Sequence, residues 1–345
     1  MSSNSARAEN ARSLLLERLS EDARTVSARM SEVLKGEPAG LYEAASYMPS
    51  LGGKRMRPFV TLQAGRLFGE TYDATVYAAV GVELLHNFTL VHDDIMDRDD
   101  FRRNKPTVHK KYGDPVAILA GDLLFSKAFW SAVKSEEAAG RAGVVEALSE
   151  ASTRVDEGQY LDMSFESRRD VSESEYLEMI KLKTAALYEC SAVMGGIAGG
   201  RNGSSIRHAT EPELEALREY GLNLGLAFQI RDDYLGSFGS PETTGKPVGN
   251  DIKRGKKTLV VICALERCSP SQAARLSSTL GNLSASEREV NDAIGLLREI
   301  GVDSECEKTS LKYAAKAAES ISTLPETEAR VLLSSLAEYA ALRNS

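Results

Sequence analysis

Two short acidic runs stand where an amphipathic helix would not put them. Leu84-Leu85-His86-Asn87-Phe88-Thr89-Leu90-Val91-His92 leads straight into Asp93-Asp94-Ile95-Met96-Asp97, and Gly225-Leu226-Ala227-Phe228-Gln229-Ile230-Arg231 leads into Asp232-Asp233. On a helix, Asp93 and Asp97 are i and i+4, so their carboxylates stack on one face and repel. They also come at the C-terminal end of an apolar helix, where the dipole already disfavours negative charge. Such pairs call for counter-cations. Mg²⁺ fits, because it takes one or two carboxylates and fills its other octahedral positions with water and phosphate oxygens. A solvated acidic face would explain one cluster alone, but it explains two in matching context less well. The first run is no EF-hand loop, since its third residue is Ile95 and Arg98 stands where position six requires glycine.

Cations gather near these runs in a chain whose net charge is −8. Gly52-Gly53-Lys54-Arg55-Met56-Arg57-Pro58 sets three of them on a turn that leads into a helix start, where backbone N–H groups also favour anions. The spacing is not that of a nucleotide P-loop. Arg102, Arg103 and Lys105 follow the first acidic run, Lys246, Lys256 and Lys257 follow the second, and Lys181 and Lys183 lie between. Taken singly, each reads as a surface cation; their placement beside both carboxylate clusters is what raises them. His86 lies two turns before Asp93 on the same helix.

The elements that carry these residues read as helices throughout. A long apolar-rich stretch runs from about Asp73 to Asp97, too long for a strand. Pro58 suits a first helical turn, Asp114-Pro115 reads as a cap-plus-proline start, and Ser172/Glu175 and Thr210/Glu213 have capping-box spacing. Gly195, Gly196, Gly199, Gly200 and Gly203 are expected to break the chain between two helices. Leu259–Cys263, the one β-like run, reads as buried helix. No repeat or linker divides the 345 residues, so residues 1–345 are expected to form one all-α domain.

Composition excludes several other classes. An acidic chain is a poor general nucleic-acid binder. No stretch approaches the ~20 apolar residues of a membrane span, so no stable membrane insertion is expected, and Leu14–Leu16 is too short for a signal-peptide core. Cys190, Cys263, Cys268 and Cys306 show no CxxC spacing and read as reduced thiols of a cytoplasmic protein.

The ordered set of Gly52–Pro58, Asp93–Asp97 with Arg102-Arg103, Lys183-Thr184, and Gln229-x-x-Asp232-Asp233 with Lys246 and Lys256 resembles the trans-isoprenyl diphosphate synthases, the polyprenyl synthetase family. The likeness spans roughly Gly52 to Lys257. It implies an orthogonal helical bundle around a deep central cavity, usually a homodimer, with residues 1–36 a helical extension of the same domain. It also implies that Asp93 and Asp97 bind Mg²⁺ from one wall and Asp232 from the facing wall, with about three ions in all. Asp94 and Asp233 belong to the same catalytic motifs. The metals, Arg102, Lys183, Thr184, Gln229, Lys246 and Lys256 would hold an allylic diphosphate (C5, C10 or C15), and Lys54, Arg57, His86 and Arg103 would hold isopentenyl diphosphate. Stabilising the departing diphosphate lets the allylic C–O bond ionise. The double bond of isopentenyl diphosphate then attacks, and the released diphosphate takes the proton. The chain departs from the family pattern at Gly236, where many members have a third aspartate in the second motif.

Phe88 lies five residues before Asp93 and nine before Asp97, which places it about 7–14 Å down the helix axis from the motif at ~1.5 Å per residue. An aromatic ring at that depth, beside the small Thr89, resembles the archaeal-type geranylgeranyl diphosphate synthases and implies a C20 product, with C15 or a longer chain as alternatives. A terpene cyclase or head-to-head synthase would not need Lys54, Arg57 and His86. A non-catalytic regulatory subunit of the fold would be expected to lose an acidic motif.

Overall fold

The computed structural model describes residues 3–69, 72–168, 170–200, 207–239 and 249–344, with side chains from Ala11 onward. In chain order the elements begin with α1 (Ser3–Val33), α2 (Ala39–Ser50), α3 (Met56–Arg66) and α4 (Tyr72–Met96). A two-stranded hairpin of β1 (Phe101–Arg102) and β2 (Lys105–Pro106) follows, then α5 (Val108–Tyr112), α6 (Asp114–Ala139), α7 (Val144–Glu166) and α8 (Glu173–Ile180). A π-helical turn, Lys181–Ala185, joins α8 to α9 (Ala186–Ala198), which precedes α10 (Glu211–Phe238). The rest is α11 (Asn250–Arg254), α12 (Leu259–Arg267), α13 (Pro270–Thr279), α14 (Glu287–Glu299), α15 (Val302–Ser320) and α16 (Glu328–Leu342). The all-α reading of the sequence holds. The chain groups into two compact units, one of Met1–Ser152, Leu187–Gly221 and Ser320–Leu336, the other of Thr153–Ala186, Leu222–Glu319 and Ala337–Ser345.

The first unit is organised on α4, which is apolar nearly all round and buried along most of its length. Gly81 lets α6 come close, since a Cβ there would lie 3.1 Å from the Ala128 carbonyl oxygen. The glycines expected to break the chain do something different. Helix α9 runs through Gly195 and Gly196 to Ala198. The missing side chains at Gly195 and Gly199 let this segment cross α3 backbone to backbone, with the Thr61 carbonyl at Gly195 and the Gly65 carbonyl at Gly199. The helix ends at Ala198 and Gly200 has a φ of +83°; Gly203 lies outside the described residues. At α6 the cap is Gly113 (φ +83°), and Asp114 with Pro115 forms the first turn.

One correction concerns membrane spans: α4 and α6 are both long and apolar enough to cross a membrane by length and composition. The apolar window of α4 is 72% buried within the protein, that of α6 only 39%. The sequence reading missed this because small residues (Ala117, Ala120, Gly121, Ala128, Ala132) supply much of the apolarity of α6.

In the second unit Tyr176, Ile230, Phe238, Ile252, Leu259, Val260 and Leu297 share one apolar core. The β-like run Leu259–Cys263 is indeed buried helix, started by Thr258, whose side chain accepts from the Val261 N–H. Ser172 and Glu175 form a reciprocal capping box at the start of α8. Gly158 on α7 faces the backbone of Lys183, so α7 packs directly on the π turn, a local widening that frequently marks functional sites.

The turn before α3 is held by a buried ion pair. Arg55, in the left-handed region at φ 49°, reaches Glu83 of α4 and donates to the Pro49 carbonyl at 2.5 Å. Both side chains are almost fully buried, 2% and 4% exposed. Asn87 Nδ2 also donates to Glu83 Oε1 at 3.1 Å. Removing one partner of such a pair leaves an uncompensated buried charge. Glu83→Gln is therefore expected to lower unfolding free energy by about 3–5 kcal/mol. In urea titrations this reads as a reduced midpoint at unchanged slope.

Candidate active site

In the first acidic motif the neighbouring aspartates separate by burial. Asp93 is half-buried and Asp97 exposed. Asp97 N–H donates to the Asp93 carbonyl at 2.8 Å, so the helical register continues past Met96 and the two carboxylates keep their i, i+4 relation. Asp94 turns inward, 1% exposed, and accepts from Arg102 Nε at 2.7 Å. Burial raises its carboxyl to about 6, against the downward pull of the Arg102 guanidinium and hydrogen bond. Arg102 is delivered by the hairpin, whose turn residues Arg103 and Asn104 both have positive φ (52° and 59°), as a type I′ turn requires.

The cations before α3 have divided roles. Arg55 is the buried brace already described, and Lys54 is exposed. Arg57, in the first turn of α3, lies 3.3 Å from His86 Nε2 and 4.5 Å over the Tyr188 ring. Arg103 donates to the Gly52 carbonyl, and its guanidinium closes over Gly53 so tightly that a Cβ there would lie 2.9 Å from it. Burial, then the charges of Arg57, Arg103, Arg102 and Arg55, hold the His86 pKa well below its ordinary value. His86 is thus a neutral imidazole. Arg57 has only donors, so Nε2 accepts and the proton sits on Nδ1. Burial, then Arg55, also lowers the Arg103 pKa. The structure brings Arg57, His86, Arg102 and Arg103 into one electrostatic neighbourhood.

The second unit repeats the pattern. Asp232 points outward, its side chain 57% exposed. Asp233 is buried and accepts from Tyr176 Oη at 2.6 Å and Gln229 Nε2 at 2.9 Å. Burial raises it to about 7, although Lys256 and the Tyr176 hydrogen bond pull the other way. Thr184 Oγ1 donates to Gln229 Oε1 at 2.8 Å, and Lys183 pairs with Asp162. Lys183, Thr184, Gln229, Asp233 and Lys256 line one small pocket with Asp162 and Tyr176. Burial would raise Asp162, but Lys256 and Lys183 outweigh it and hold the carboxyl below its ordinary value. Lys246 lies outside the described residues.

Asp162, Tyr176 and Tyr188 were not singled out from sequence. For Asp162 there was a signal: Gly158, one turn earlier on α7, marks where another backbone comes close. The outward carboxylates Asp93, Asp97 and Asp232 are hard oxygen donors, as Mg²⁺ requires. Among the described residues no three acidic, His or Cys side chains form a ready-made metal cluster. Asp93 and Asp97, four residues apart on one helical register, are of the chemistry an ion such as Mg²⁺ takes, one or two carboxylates with the rest of its shell supplied elsewhere.

Gly236 has a physical explanation. A Cβ there would lie 2.6 Å from Asp251 Oδ2, so a carboxylate from α11 already fills the space beside it. The Gly249 N–H also donates to the Gly236 carbonyl at 2.9 Å, tying the start of α11 to α10. Gly236→Asp, which would complete the acidic motif, is expected to cost about 1–3 kcal/mol from crowding alone. Thermal unfolding checks this: the melting temperature falls in Gly236→Asp, and Asp251→Ala partly rescues it in the double variant.

The sequence model of the polyprenyl synthetase family matches residues 38–297. The chain is 42% identical to the geranylgeranyl diphosphate synthase of Saccharolobus solfataricus, over 88% of this chain and 87% of that protein. It is 40% identical to the geranylfarnesyl diphosphate synthase of Aeropyrum pernix, over 88% and 94%. Among solved structures, geranylgeranyl pyrophosphate synthetase from Pyrococcus horikoshii matches with a TM-score of 0.87 at 40% identity, covering 96% of this chain and 99% of that one. A polyprenyl synthase from Caulobacter crescentus, complexed with calcium and isoprenyl diphosphate, matches at 0.85 and 32% identity, covering 96% and 98%. With the all-α fold and both acidic motifs described, these matches show that the chain belongs to the polyprenyl synthetase family and is a prenyltransferase.

Proposed function

We propose that the chain condenses isopentenyl diphosphate head to tail with allylic diphosphates, with Mg²⁺, and stops at geranylgeranyl diphosphate (C20). The observation that carries this reading is the state of Arg57 and Arg103. In a chain of net charge −8, both donate to neutral acceptors, the His86 imidazole and the Gly52 carbonyl. Guanidiniums gathered without a bonded carboxylate suit a diphosphate. Lys54, Arg57, His86 and Arg103 would hold isopentenyl diphosphate. Arg102, Lys183, Lys246 and Lys256, with Thr184 and Gln229, would hold the allylic diphosphate.

Asp93, Asp97 and Asp232 would hold the Mg²⁺ ions, with Asp94 and Asp233 as inward supports of the same motifs. When bound, Mg²⁺ supplies positive charge to the departing diphosphate. The isoprenyl diphosphate complex of the Caulobacter crescentus relative supports this substrate class. We further propose that residues 1–345 act as a single synthase domain in the cytoplasm, where free Cys190, Cys263, Cys268 and Cys306 would stay reduced.

For product length, Phe88 is supported from α6. Its ring lies 5.1 Å from that of Phe125, edge to face, and Phe125 lies 4.9 Å from Phe129. Thr89 turns its hydroxyl to the His86 carbonyl at 2.8 Å and adds little bulk beside the ring. A braced ring is a firmer stop than a lone one. The geranylfarnesyl relative keeps a C25 product as the second reading.

Purified protein given isopentenyl diphosphate, Mg²⁺ and each of the C5, C10 and C15 primers is expected to yield mainly C20 alcohols after dephosphorylation, and none with EDTA. Phe88→Ala should shift the products to C25 and beyond. A wild-type product of C15 or C25 would keep the enzyme and remove the role given to Phe88.

The under-covered face of α6 supports a homodimer. Ile118, Leu119, Trp130 and Val133 are 41–55% exposed there, an apolar stripe that a partner copy would bury. Light scattering should give twice the 37.4 kDa chain mass, and Leu119→Arg combined with Val133→Glu should give monomers.

A further inference from the structure

Asp232 is hydrogen-bonded by a residue that no acidic or basic motif contains. Arg343, which follows α16, donates from Nη2 to Asp232 Oδ1 at 2.8 Å. The guanidinium lies 4.2 Å over the Phe228 ring, one turn earlier on α10, and Nη2 is 3.5 Å from the Phe228 carbonyl. The two ends of this pair differ sharply in environment: the Arg343 side chain is 6% exposed, that of Asp232 57%. A buried guanidinium needs a carboxylate, and Asp232 is the one it reaches. Its Nε is buried without a hydrogen-bond partner, so the fork is only partly satisfied.

A second arginine locks the same segment. Arg231 Nε donates to the Arg343 carbonyl at 2.8 Å, while its Nη1 is 3.5 Å from Glu307 and its guanidinium lies over Tyr234 at 4.4 Å. Burial first, with the charge of Arg343 among the other causes, lowers the pKa of Arg231. Arg231 thus pins the backbone of the residue whose side chain holds Asp232.

We propose that Arg343 is the counter-cation of the second acidic motif and sets its metal affinity: a divalent ion binds Asp232 in competition with Arg343, which must leave the carboxylate for the ion to bind. This rests on the reading of Asp232 as a metal ligand. A divalent cation brought to Asp232 would face Arg343 within contact distance. Two positive groups on one carboxylate repel, and Coulomb energy grows as separation falls. The partly satisfied, single-carboxylate Arg343 is the group able to yield, because Arg231 keeps Glu307. Release of the Arg343 side chain loosens the segment that Arg231 pins, so metal loading is coupled to the order of the end of α16 and of residues 343–344.

The test measures binding of Mn²⁺, in the presence of inorganic diphosphate, by the loss of free-ion EPR signal. Arg343→Gln is expected to lower the half-saturating Mn²⁺ about five- to tenfold. Arg343→Lys, which keeps the charge, should stay within twofold of wild type. In an Asp232→Asn background, Arg343→Gln should change nothing further. Hydrogen exchange on the unmodified protein gives a readout that does not depend on any variant folding: residues 337–344 should exchange faster with Mn²⁺ and diphosphate. Weaker Mn²⁺ binding in Arg343→Gln would make Arg343 a support of Asp232 and overturn the competition. Unchanged binding, or slowed exchange in the unmodified protein, would overturn it as well. Absence of any saturable Mn²⁺ binding by wild type would instead overturn the metal reading of Asp232, and this inference with it.

Discussion

Carboxylates adjacent on a helix have to be kept apart, and both acidic motifs, near the end of α4 and within α10, resolve that repulsion in the same way. One aspartate of each pair is drawn inside and hydrogen-bonded, Asp94 by Arg102 and Asp233 by Tyr176 and Gln229. The other member is the less buried of the two. The inward members anchor side chains that the site needs at fixed positions, since Arg102 and Gln229 are oriented by them. Burial makes these carboxyls weak acids by ordinary standards, about 6 for Asp94 and about 7 for Asp233. Within each pair, neighbours in sequence thereby take different places, one inside and bonded, the other less buried.

The same economy runs through the backbone. Gly195 and Gly199 bring α9 onto α3, Gly158 brings α7 onto the π turn that carries Lys183 and Thr184, and Gly236 admits the carboxylate of Asp251. At each of these positions the absent Cβ is occupied by another chain segment. Substitution there moves a helix rather than a side chain, so its effects reach residues far from the change.

The helices were legible in the sequence because period and caps agree with burial. The stretch Asp73–Asp97 and the Leu259–Cys263 run are apolar for too long, or in the wrong company, to be strands, and Ser172/Glu175 closes its capping box as spaced. Which aspartate of a pair turns inward was not legible. Adjacent residues on a helix differ by ~100°, and the phase is set by what packs on that helix, such as Tyr176 on Asp233. Arg55 looked equivalent to Lys54 and Arg57, because only the fold supplies Glu83. The Gly195-Gly196 pair misled for a related reason: glycine breaks a helix in isolation, yet it is also what a close helix crossing requires. Asp251 and Arg343 come from parts of the chain remote from the residues they touch, and no local spacing announces them.

A chain of net charge −8 that handles diphosphates must arrange its cations rather than merely possess them. Arg55 is committed to Glu83, Arg102 to Asp94 and Lys183 to Asp162. Such pairing fixes each side chain at little cost in rotamer freedom when substrate arrives, which favours geometry over raw attraction. It also lowers the net field each presents to an anion. Arg57 and Arg103 instead bond to neutral acceptors and keep more of their charge unpaired with a carboxylate among the described residues. The acidic motifs and the paired arginines are two consequences of a single electrostatic arrangement.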